Sequence, residues 1–252
     1  MNRVDALFKR LRKEQRCGLI AYVTCGDGDT VSIVDDLEQA GADAIELGIP
    51  FSDPITDRPV IQAASMRALA NDTTTRDVFA IAQAIRARSD IPLIAFSYLN
   101  PVLRYGPAAF ARDAKAAGID SLLLTDLPPE SAAELRSAMH AEGLGTVFLL
   151  APTSTDTRIR AIDRASDGFV YYVSTTGVTG TRSDLDPALL TRLDEVRAKL
   201  KHPIAVGFGI SRHEHYQLLR HRCDAIVVGS AIVRAIGNGE NAGAVVRGIL
   251  GR

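Results

Sequence analysis

Residues 44–57 read Ala44-Ile45-Glu46-Leu47-Gly48-Ile49-Pro50-Phe51-Ser52-Asp53-Pro54-Ile55-Thr56-Asp57. The first half has the composition of a buried strand, and because side chains alternate along a strand, Ile45, Leu47 and Ile49 share one face. Glu46 therefore lies on the opposite face, flanked only by small residues. An ionised carboxylate left unpaired among apolar groups costs several kcal/mol, and acids in such settings cluster at functional sites. We therefore predict a strand that carries a functional acid; the alternative is a buried Glu held by a backbone or Arg partner.

Short apolar runs of the same kind recur along the whole chain. The predicted strands are Leu19–Gly26, Ala44–Pro50, Pro92–Tyr98, Ser121–Asp126, Thr146–Pro152, Phe169–Ser174, Pro203–Gly209 and Ala225–Ser230. Between them, residues 31–41, 78–85 and 189–196 have apolar residues at helical spacing. Strands that alternate with helices pair in parallel, and eight such units in 252 residues are typical of a (β/α)8 barrel. An open doubly wound sheet is the alternative, but its usual glycine-rich phosphate loop is missing after the first predicted strand.

Composition places further bounds on the chain. With 46% hydrophobic residues and no linker, it is predicted to form a single domain over residues 1–252. Residues 1–15 are charged and amphipathic, which favours a short helix, closing the bottom of the barrel, over a signal peptide. A net charge of −1 and the lack of a long apolar run indicate neither nucleic acid nor membrane as a partner. Three cysteines without metal-ligand spacing fit a reducing compartment, so we expect a cytoplasmic protein.

Glycines concentrate at the ends of the last predicted strands. The seventh strand ends in Gly207-Phe208-Gly209-Ile210-Ser211, and the eighth is followed by Gly229-Ser230-Ala231-Ile232-Val233. The loop at residues 174–181, after the sixth strand, is rich in hydroxyl groups and has the flexibility of a lid. In (β/α)8 barrels, phosphate is commonly held by the loops after the seventh and eighth strands and by a short helix N-terminus. These segments therefore predict a phosphate site.

Carboxylates and tyrosines are the remaining candidates for chemistry, because no histidine or lysine lies at a predicted strand end. That pattern argues against a His-based metal centre and a Schiff-base lysine. The candidates at strand ends are Glu46, Asp53, Asp57, Asp27 and Asp126, with Tyr22, Tyr98 and Tyr171 as walls. Asp27 and Asp126 are expected to be structural, because short polar residues at strand ends cap the next turn or helix. Two separated acids suit general acid–base chemistry on a substrate anchored by its phosphate.

In order and spacing, these motifs resemble the tryptophan synthase α subunit family over nearly the whole chain. They are Glu46-Leu47-Gly48-Ile49-Pro50-Phe51-Ser52-Asp53-Pro54-x-x-Asp57, Gly177-Val178-Thr179-Gly180, Gly207-Phe208-Gly209-Ile210 and Gly229-Ser230-Ala231-Ile232-Val233. The first motif is long and family-specific, whereas many phosphate-binding barrels share the glycine motifs. The resemblance implies a lyase of tryptophan biosynthesis that reversibly cleaves indole-3-glycerol phosphate to indole and glyceraldehyde 3-phosphate. It also implies no cofactor in this chain and a pyridoxal-phosphate β subunit as partner in an α2β2 heterotetramer.

The resemblance assigns roles to matching positions. It implies that Glu46 is the general acid–base, which protonates indole C3 and takes a proton from the glycerol hydroxyl. Asp57 is expected to hold the indole N–H and to stabilise positive charge on the ring. The implied substrate-binding residues are Tyr22, Tyr98, Leu123, Tyr171 and Thr179. The implied phosphate ligands are Gly180, Gly209, Gly229 and Ser230.

One residue departs from the family pattern, which has Asp-Gly-Pro where this chain has Asp57-Arg58-Pro59. At a positive φ, an Arg costs about 1–2 kcal/mol, and its charge would compete for the Asp57 carboxylate. We therefore expect an exposed Arg58 that impairs turnover or coupling to the β subunit. Two other functions stay open: a weakly or non-catalytic phosphate-ligand-binding subunit that allosterically activates a β subunit, and another phosphate-binding barrel such as a sugar-phosphate isomerase. Arg58 favours the non-catalytic subunit, and Glu46 favours the lyase.

Overall fold

The computed structural model describes residues 2–55, 57–173, 186–207 and 209–252. Their strands are β1 (Gly18–Thr24), β2 (Ala44–Gly48), β3 (Leu93–Ser97), β4 (Ser121–Leu124), β5 (Gly145–Val147), β6 (Leu149–Leu150), β7 (Val170–Val173), β8 (Ile204–Gly207) and β9 (Ala225–Val228). All strand pairs are parallel, and the order in the sheet is β5-β4-β3-β2-β1-β9-β8-β7-β6. Each of the predicted strands is found, and the fifth is divided in two.

Helices connect the strands and cover the outside of the sheet. They are α1 (Arg3–Glu14), α2 (Thr30–Gln39), α3 (Pro59–Ala70), α4 (Thr75–Arg86), α5 (Leu99–Tyr105), α6 (Pro107–Ala116), α7 (Ala133–Ala141), α8 (Asp156–Ala165), α9 (Pro187–Arg197), α10 (His213–Leu219), α11 (Ser230–Gly237) and α12 (Ala242–Leu250), with a 3₁₀ turn at Pro129–Ser131. The helices predicted from periodicity correspond to α1, α2, α4 and α9. Within the described residues, no helix has both the length and the apolar character needed to span a bilayer.

The sheet closes into a barrel at its divided strand. β5 pairs with β4, and β6 pairs with β7, with only Phe148 between the two short strands. The Phe148 carbonyl accepts a hydrogen bond from the Tyr171 N–H at 3.1 Å, which continues the pairing across the division. The predicted (β/α)8 barrel is therefore confirmed, and the open doubly wound sheet is wrong.

Side-chain alternation sorts each strand into an outer and an inner face. Ile45 and Leu47 of β2 belong to the large apolar cluster that includes the buried faces of the surrounding helices. Ala44 belongs instead to the cluster inside the barrel, and Glu46 is on the same inner face. The strand therefore holds Glu46 inside a closed sheet, as its sequence predicts.

Helix α1 closes the amino-terminal end of the barrel, as expected. Leu7, Phe8 and Leu11 are buried in the interior cluster with inward-facing strand residues, and the Phe8 ring lies 5.2 Å from that of Phe169. Beyond the helix, Arg16 donates hydrogen bonds of 2.8 and 2.6 Å to the Asp43 carboxylate, next to the start of β2. An apolar plug and a bidentate ion pair together seal this end.

Truncating the plug is expected to destabilise the protein without touching the opposite, carboxyl-terminal end of the barrel. Phe8→Ala removes a buried ring and should lower the free energy of unfolding by about 3–5 kcal/mol. The exposed Lys13→Ala on the same helix should change it by less than about 0.5 kcal/mol. Urea unfolding of both variants measures the difference. Equal stabilities would show that the helix does not seal the barrel.

Candidate active site

Glu46 is the buried centre of the candidate site. It lies in register between Tyr22 of β1 and Ile94 of β3, and its exposure is 0%. Among the described residues, neither carboxyl oxygen has a hydrogen-bond partner. Burial raises the pKa of Glu46 to about 8, because a low-dielectric interior disfavours the charged form. Glu46 therefore keeps its proton at neutral pH, and the described part of the chain offers no backbone or Arg group that would make it merely structural.

Asp57 is the second acid, in the loop that follows β2. Burial raises its pKa to about 6, and a hydrogen bond from Tyr98 acts in the opposite direction. The Gln62 side-chain amide donates to the Asp57 carbonyl at 2.9 Å, which fixes the loop against the start of α3. At neutral pH Asp57 is charged while Glu46 is protonated. Two acids held in different protonation states can serve as proton donor and electrostatic stabiliser in one reaction.

Two of the predicted tyrosines lie close to Glu46. Burial raises the pKa values of Tyr22 and Tyr171 well above their usual range, and negative charge on Glu46 acts in the same direction on both. Tyr22 also packs edge-on against Phe96, with the ring centroids 5.2 Å apart. The structure thus brings the acid and its predicted aromatic walls into one interior space, with Tyr98 bound to the second acid.

The predicted wall residue Leu123 is fully buried in the barrel interior. It pairs in register with Phe96 of β3, a wall residue that sequence reasoning missed. The signal was present, because alternation from Ile94 places Phe96 on the same inner face.

The described part of the predicted phosphate site lies at the carboxyl ends of β8 and β9. These strands are neighbours, so Gly209 and Gly229 follow adjacent strand ends. Gly209 has a φ of +70°, a left-handed conformation that favours glycine. Helix α11 begins at Ser230 with neither a side-chain cap nor an acid in its first turn. Its first N–H groups therefore remain available to an anion.

Two further predicted residues, Thr179 and Gly180, lie outside the described residues together with the expected lid at residues 174–181.

Arg58 differs from what the sequence predicts. Its φ is −69° and its ψ is 153°, so the expected strain at a positive φ is wrong. It is the N-cap residue of α3 and is half-buried, not exposed. Its guanidinium lies against Gly209, with Nη1 2.9 Å from the position that a Cβ would take there.

The other candidate acids have local roles. Asp27 accepts hydrogen bonds of 2.7 and 2.8 Å from Arg67, and Asp126 accepts one of 2.8 Å from the Leu99 N–H at the start of α5. Both carboxylates have structural partners, but neither caps the turn or helix after its own strand as predicted: Arg67 is on α3, α5 precedes β4, and the N-cap of α2 is Asp29. Asp53 is exposed and accepts a hydrogen bond from the Ser52 hydroxyl at 2.6 Å. In the part of the chain that is described, no three His, Cys, Asp or Glu side chains are grouped to hold a metal ion.

Comparison with known proteins identifies the family. The family model described as Tryptophan synthase alpha chain matches residues 8–248. The chain belongs to the tryptophan synthase alpha chain family. A tryptophan synthase alpha chain from Solibacter usitatus is 52% identical, over 94% of this chain and 90% of that protein.

Solved structures of tryptophan synthase alpha chains have the same fold. The tryptophan synthase subunit alpha from Legionella pneumophila is 34% identical, with a TM-score of 0.91 over 99% of this chain and 97% of that one. A chain from the tryptophan synthase a2b2 complex of Pyrococcus furiosus is 39% identical, with a TM-score of 0.89 over 93% and 98%. The predicted family is confirmed, and so is the lyase class, since tryptophan synthase alpha chains cleave indole-3-glycerol phosphate. The isomerase alternative is wrong.

The raised pKa of Glu46 predicts a pH-dependent stability. Between its usual value of 4.5 and about 8, the folded protein holds a proton at Glu46 that the unfolded chain releases. The stabilisation that this group contributes to the fold is therefore complete below pH 4.5 and is lost as the pH rises to about 8. Glu46→Gln lacks the titrating group. Its free energy of unfolding, relative to that of the wild type, should therefore rise by several kcal/mol as the pH increases across this range.

Urea unfolding of both proteins from pH 4 to pH 9 measures this difference. The other acids titrate alike in the two proteins, so only Glu46 contributes. Stability curves that stay parallel would show that Glu46 titrates normally.

Proposed function

We propose that this chain cleaves indole-3-glycerol phosphate to indole and glyceraldehyde 3-phosphate, with Glu46 as the general acid–base. The observation that carries the proposal is the fully buried Glu46 carboxyl, which has no hydrogen-bond partner among the described residues and keeps its proton at neutral pH. Burying a carboxyl group without a partner lowers the stability of the fold. Such acids cluster at functional sites, which supports a role for Glu46 in the reaction. Its surroundings are apolar and aromatic, which suits an indole ring.

The two acids divide the proton chemistry between them. Glu46 donates its proton to indole C3, which leaves positive charge on the ring, and the Asp57 carboxylate accepts a hydrogen bond from the ring N–H. The glycerol hydroxyl next to the bond then gives its proton to the Glu46 carboxylate. Its oxygen forms the aldehyde carbonyl, and the electrons of the breaking C–C bond neutralise the ring. Glu46 is thereby protonated again at the end of the reaction.

The remaining predicted residues bind the substrate in this proposal. Tyr22, Tyr98, Leu123 and Tyr171 surround the ring, with Thr179 from the loop outside the described residues. The phosphate is held by backbone N–H groups of Gly209, Gly229 and Ser230, and by Gly180. Support comes from the uncapped start of α11 and from the adjacent ends of β8 and β9.

The family works with a beta subunit. We extend this to an α2β2 heterotetramer in which a pyridoxal-phosphate β subunit consumes the indole; the a2b2 complex from Pyrococcus furiosus supports the stoichiometry. The single-domain organisation over residues 1–252 and a cytoplasmic location are parts of the same proposal. The three cysteines, which are free thiols in this structure, are consistent with that location.

Replacing the acid tests the reaction directly. Glu46→Gln preserves the shape of the side chain but cannot exchange a proton, so kcat for cleavage should fall by about 10²–10⁴-fold while the fold is retained. Asp53→Asn is the matched control: it neutralises an exposed carboxylate of the neighbouring loop and should leave kcat unchanged. Steady-state assays of indole release, with and without a β subunit, give both values. A Glu46→Gln protein with more than about a tenth of the wild-type kcat would place the general acid–base role on another residue.

The phosphate site has its own test. Ser230→Asp places a fixed negative charge at the start of α11 and should greatly weaken binding of glycerol 3-phosphate, while Ser230→Ala should have little effect. Indole should bind both variants like the wild type. Calorimetric titration of each ligand measures the affinities. If Ser230→Asp lost affinity for indole and glycerol 3-phosphate equally, the variant would be misfolded and the assignment unsupported.

A further inference from the structure

The side chain of Arg58 reaches from the end of β2 to the end of β8. Arg58 follows β2, whereas Gly209 follows β8, and β1 and β9 separate these strands in the sheet. Nevertheless Nη1 and Nη2 lie 2.9 and 3.2 Å from the position of a Cβ on Gly209. Burial raises the pKa of Tyr171 on β7 well above its usual range, and the charge of Arg58 acts against this, which places the cation near that ring as well. The side chain thus reaches the end of the barrel where the phosphate is proposed to bind.

The start of this side chain is held in place. The Arg58 carbonyl accepts hydrogen bonds from the N–H groups of Ile61 and Gln62 at 2.9 and 3.0 Å, because Arg58 is the N-cap residue of α3. Gln62 in turn donates to the Asp57 carbonyl at 2.9 Å. The Arg58 side chain makes no capping hydrogen bond to the helix. A fixed backbone lowers the entropy lost when the guanidinium binds a ligand.

The groups around the guanidinium define the ligand it can bind. Gly209 exposes backbone at a φ of +70°, and α11 presents uncapped N–H groups from the neighbouring strand end. Both favour an anion. A guanidinium has a planar set of donors that matches two oxygens of a phosphate at once, and its charge makes such hydrogen bonds about twice as strong as neutral ones.

We propose that Arg58 binds the phosphate group of the substrate from across the barrel mouth and thereby selects phosphorylated ligands. The inference rests on the proposed function and adds a side-chain cation to a site otherwise made of backbone N–H groups. It reverses the role expected from the sequence, in which Arg58 impairs the site. Arg58 is a binding residue in this assignment, since the phosphate takes no part in bond cleavage.

Calorimetric titration of the full chain with glycerol 3-phosphate tests the assignment. Arg58→Gln should weaken binding by about tenfold or more, the usual loss when a hydrogen bond to a charged group is removed. Arg58→Lys keeps the charge but not the planar donors and should lose less. Arg104→Gln is the control, because Arg104 is exposed on α5 and its loss changes the net charge equally; its affinity should stay within about twofold of the wild type.

Kinetics separate binding from a structural role. A group that holds the phosphate equally before and during bond cleavage changes KM more than kcat. Arg58→Gln should therefore raise KM for indole-3-glycerol phosphate about tenfold with a smaller change in kcat, and indole affinity should not change. A variant that also lost indole affinity would indicate a role in folding and would overturn the assignment.

The remaining outcomes are distinct. If Ser230→Asp weakens glycerol 3-phosphate and neither Arg58→Gln nor Arg58→Lys does, the phosphate site stands and the role of Arg58 is wrong. If Arg58→Gln does not fold, a loss of affinity in Arg58→Lys supports the role and wild-type affinity overturns it. If the wild type neither binds glycerol 3-phosphate nor cleaves the substrate, the proposed function fails, and this inference fails with it.

Discussion

A protonated carboxyl group without a hydrogen-bond partner among the described residues lies inside the barrel, and the surrounding structure must tolerate it. The free energy of burying Glu46 is offset by the apolar contacts of the strands around it and by the plug of α1 beneath it. The same burial keeps the proton on Glu46 at neutral pH. Stability and pKa are therefore coupled at one residue: a hydrogen-bond donor or a cation that stabilised the ionised form would also lower the pKa needed for proton donation.

The proposed site has two regions: an acid and aromatic region inside the barrel, and an anion region at the ends of the strands. Side chains on the inner faces of β1, β2 and β7 form the acid and aromatic region, where Glu46, Tyr22 and Tyr171 lie. The proposed anion region lies at the ends of β8 and β9, where backbone groups of Gly209 and Gly229 are joined by the Arg58 guanidinium. In the proposed complex, this separation lets the substrate phosphate supply binding energy without approaching Glu46, whose proton would be more tightly held near a second negative charge.

Much of this arrangement follows from the sequence. Alternation around Glu46 predicts its inner-face position, and the eight apolar runs predict the barrel, because both depend on local periodicity that the fold preserves. The path of Arg58 could not be predicted, since it depends on how a side chain after β2 crosses to the end of β8, a distance that only closure of the sheet determines. The Cys17 and Cys223 sulfurs lie 3.7 Å apart, and the sequence could not predict this proximity for the same reason.

The division of the fifth strand at Phe148 creates a seam in the barrel wall, here meaning the short pairings between β4 and β5 and between β6 and β7. Only short stretches of chain pair on either side of it, and the backbone bonds that cross it join Asp167 to Thr146 at 2.7 Å and Tyr171 to Phe148 at 3.1 Å. Local opening of a protein begins where few backbone hydrogen bonds must break. The strand that carries the acid, β2, has longer pairings with β1 and β3 on the side away from this division. Opening along this line would therefore displace Tyr171, while the strand that carries Glu46 stays paired on both sides.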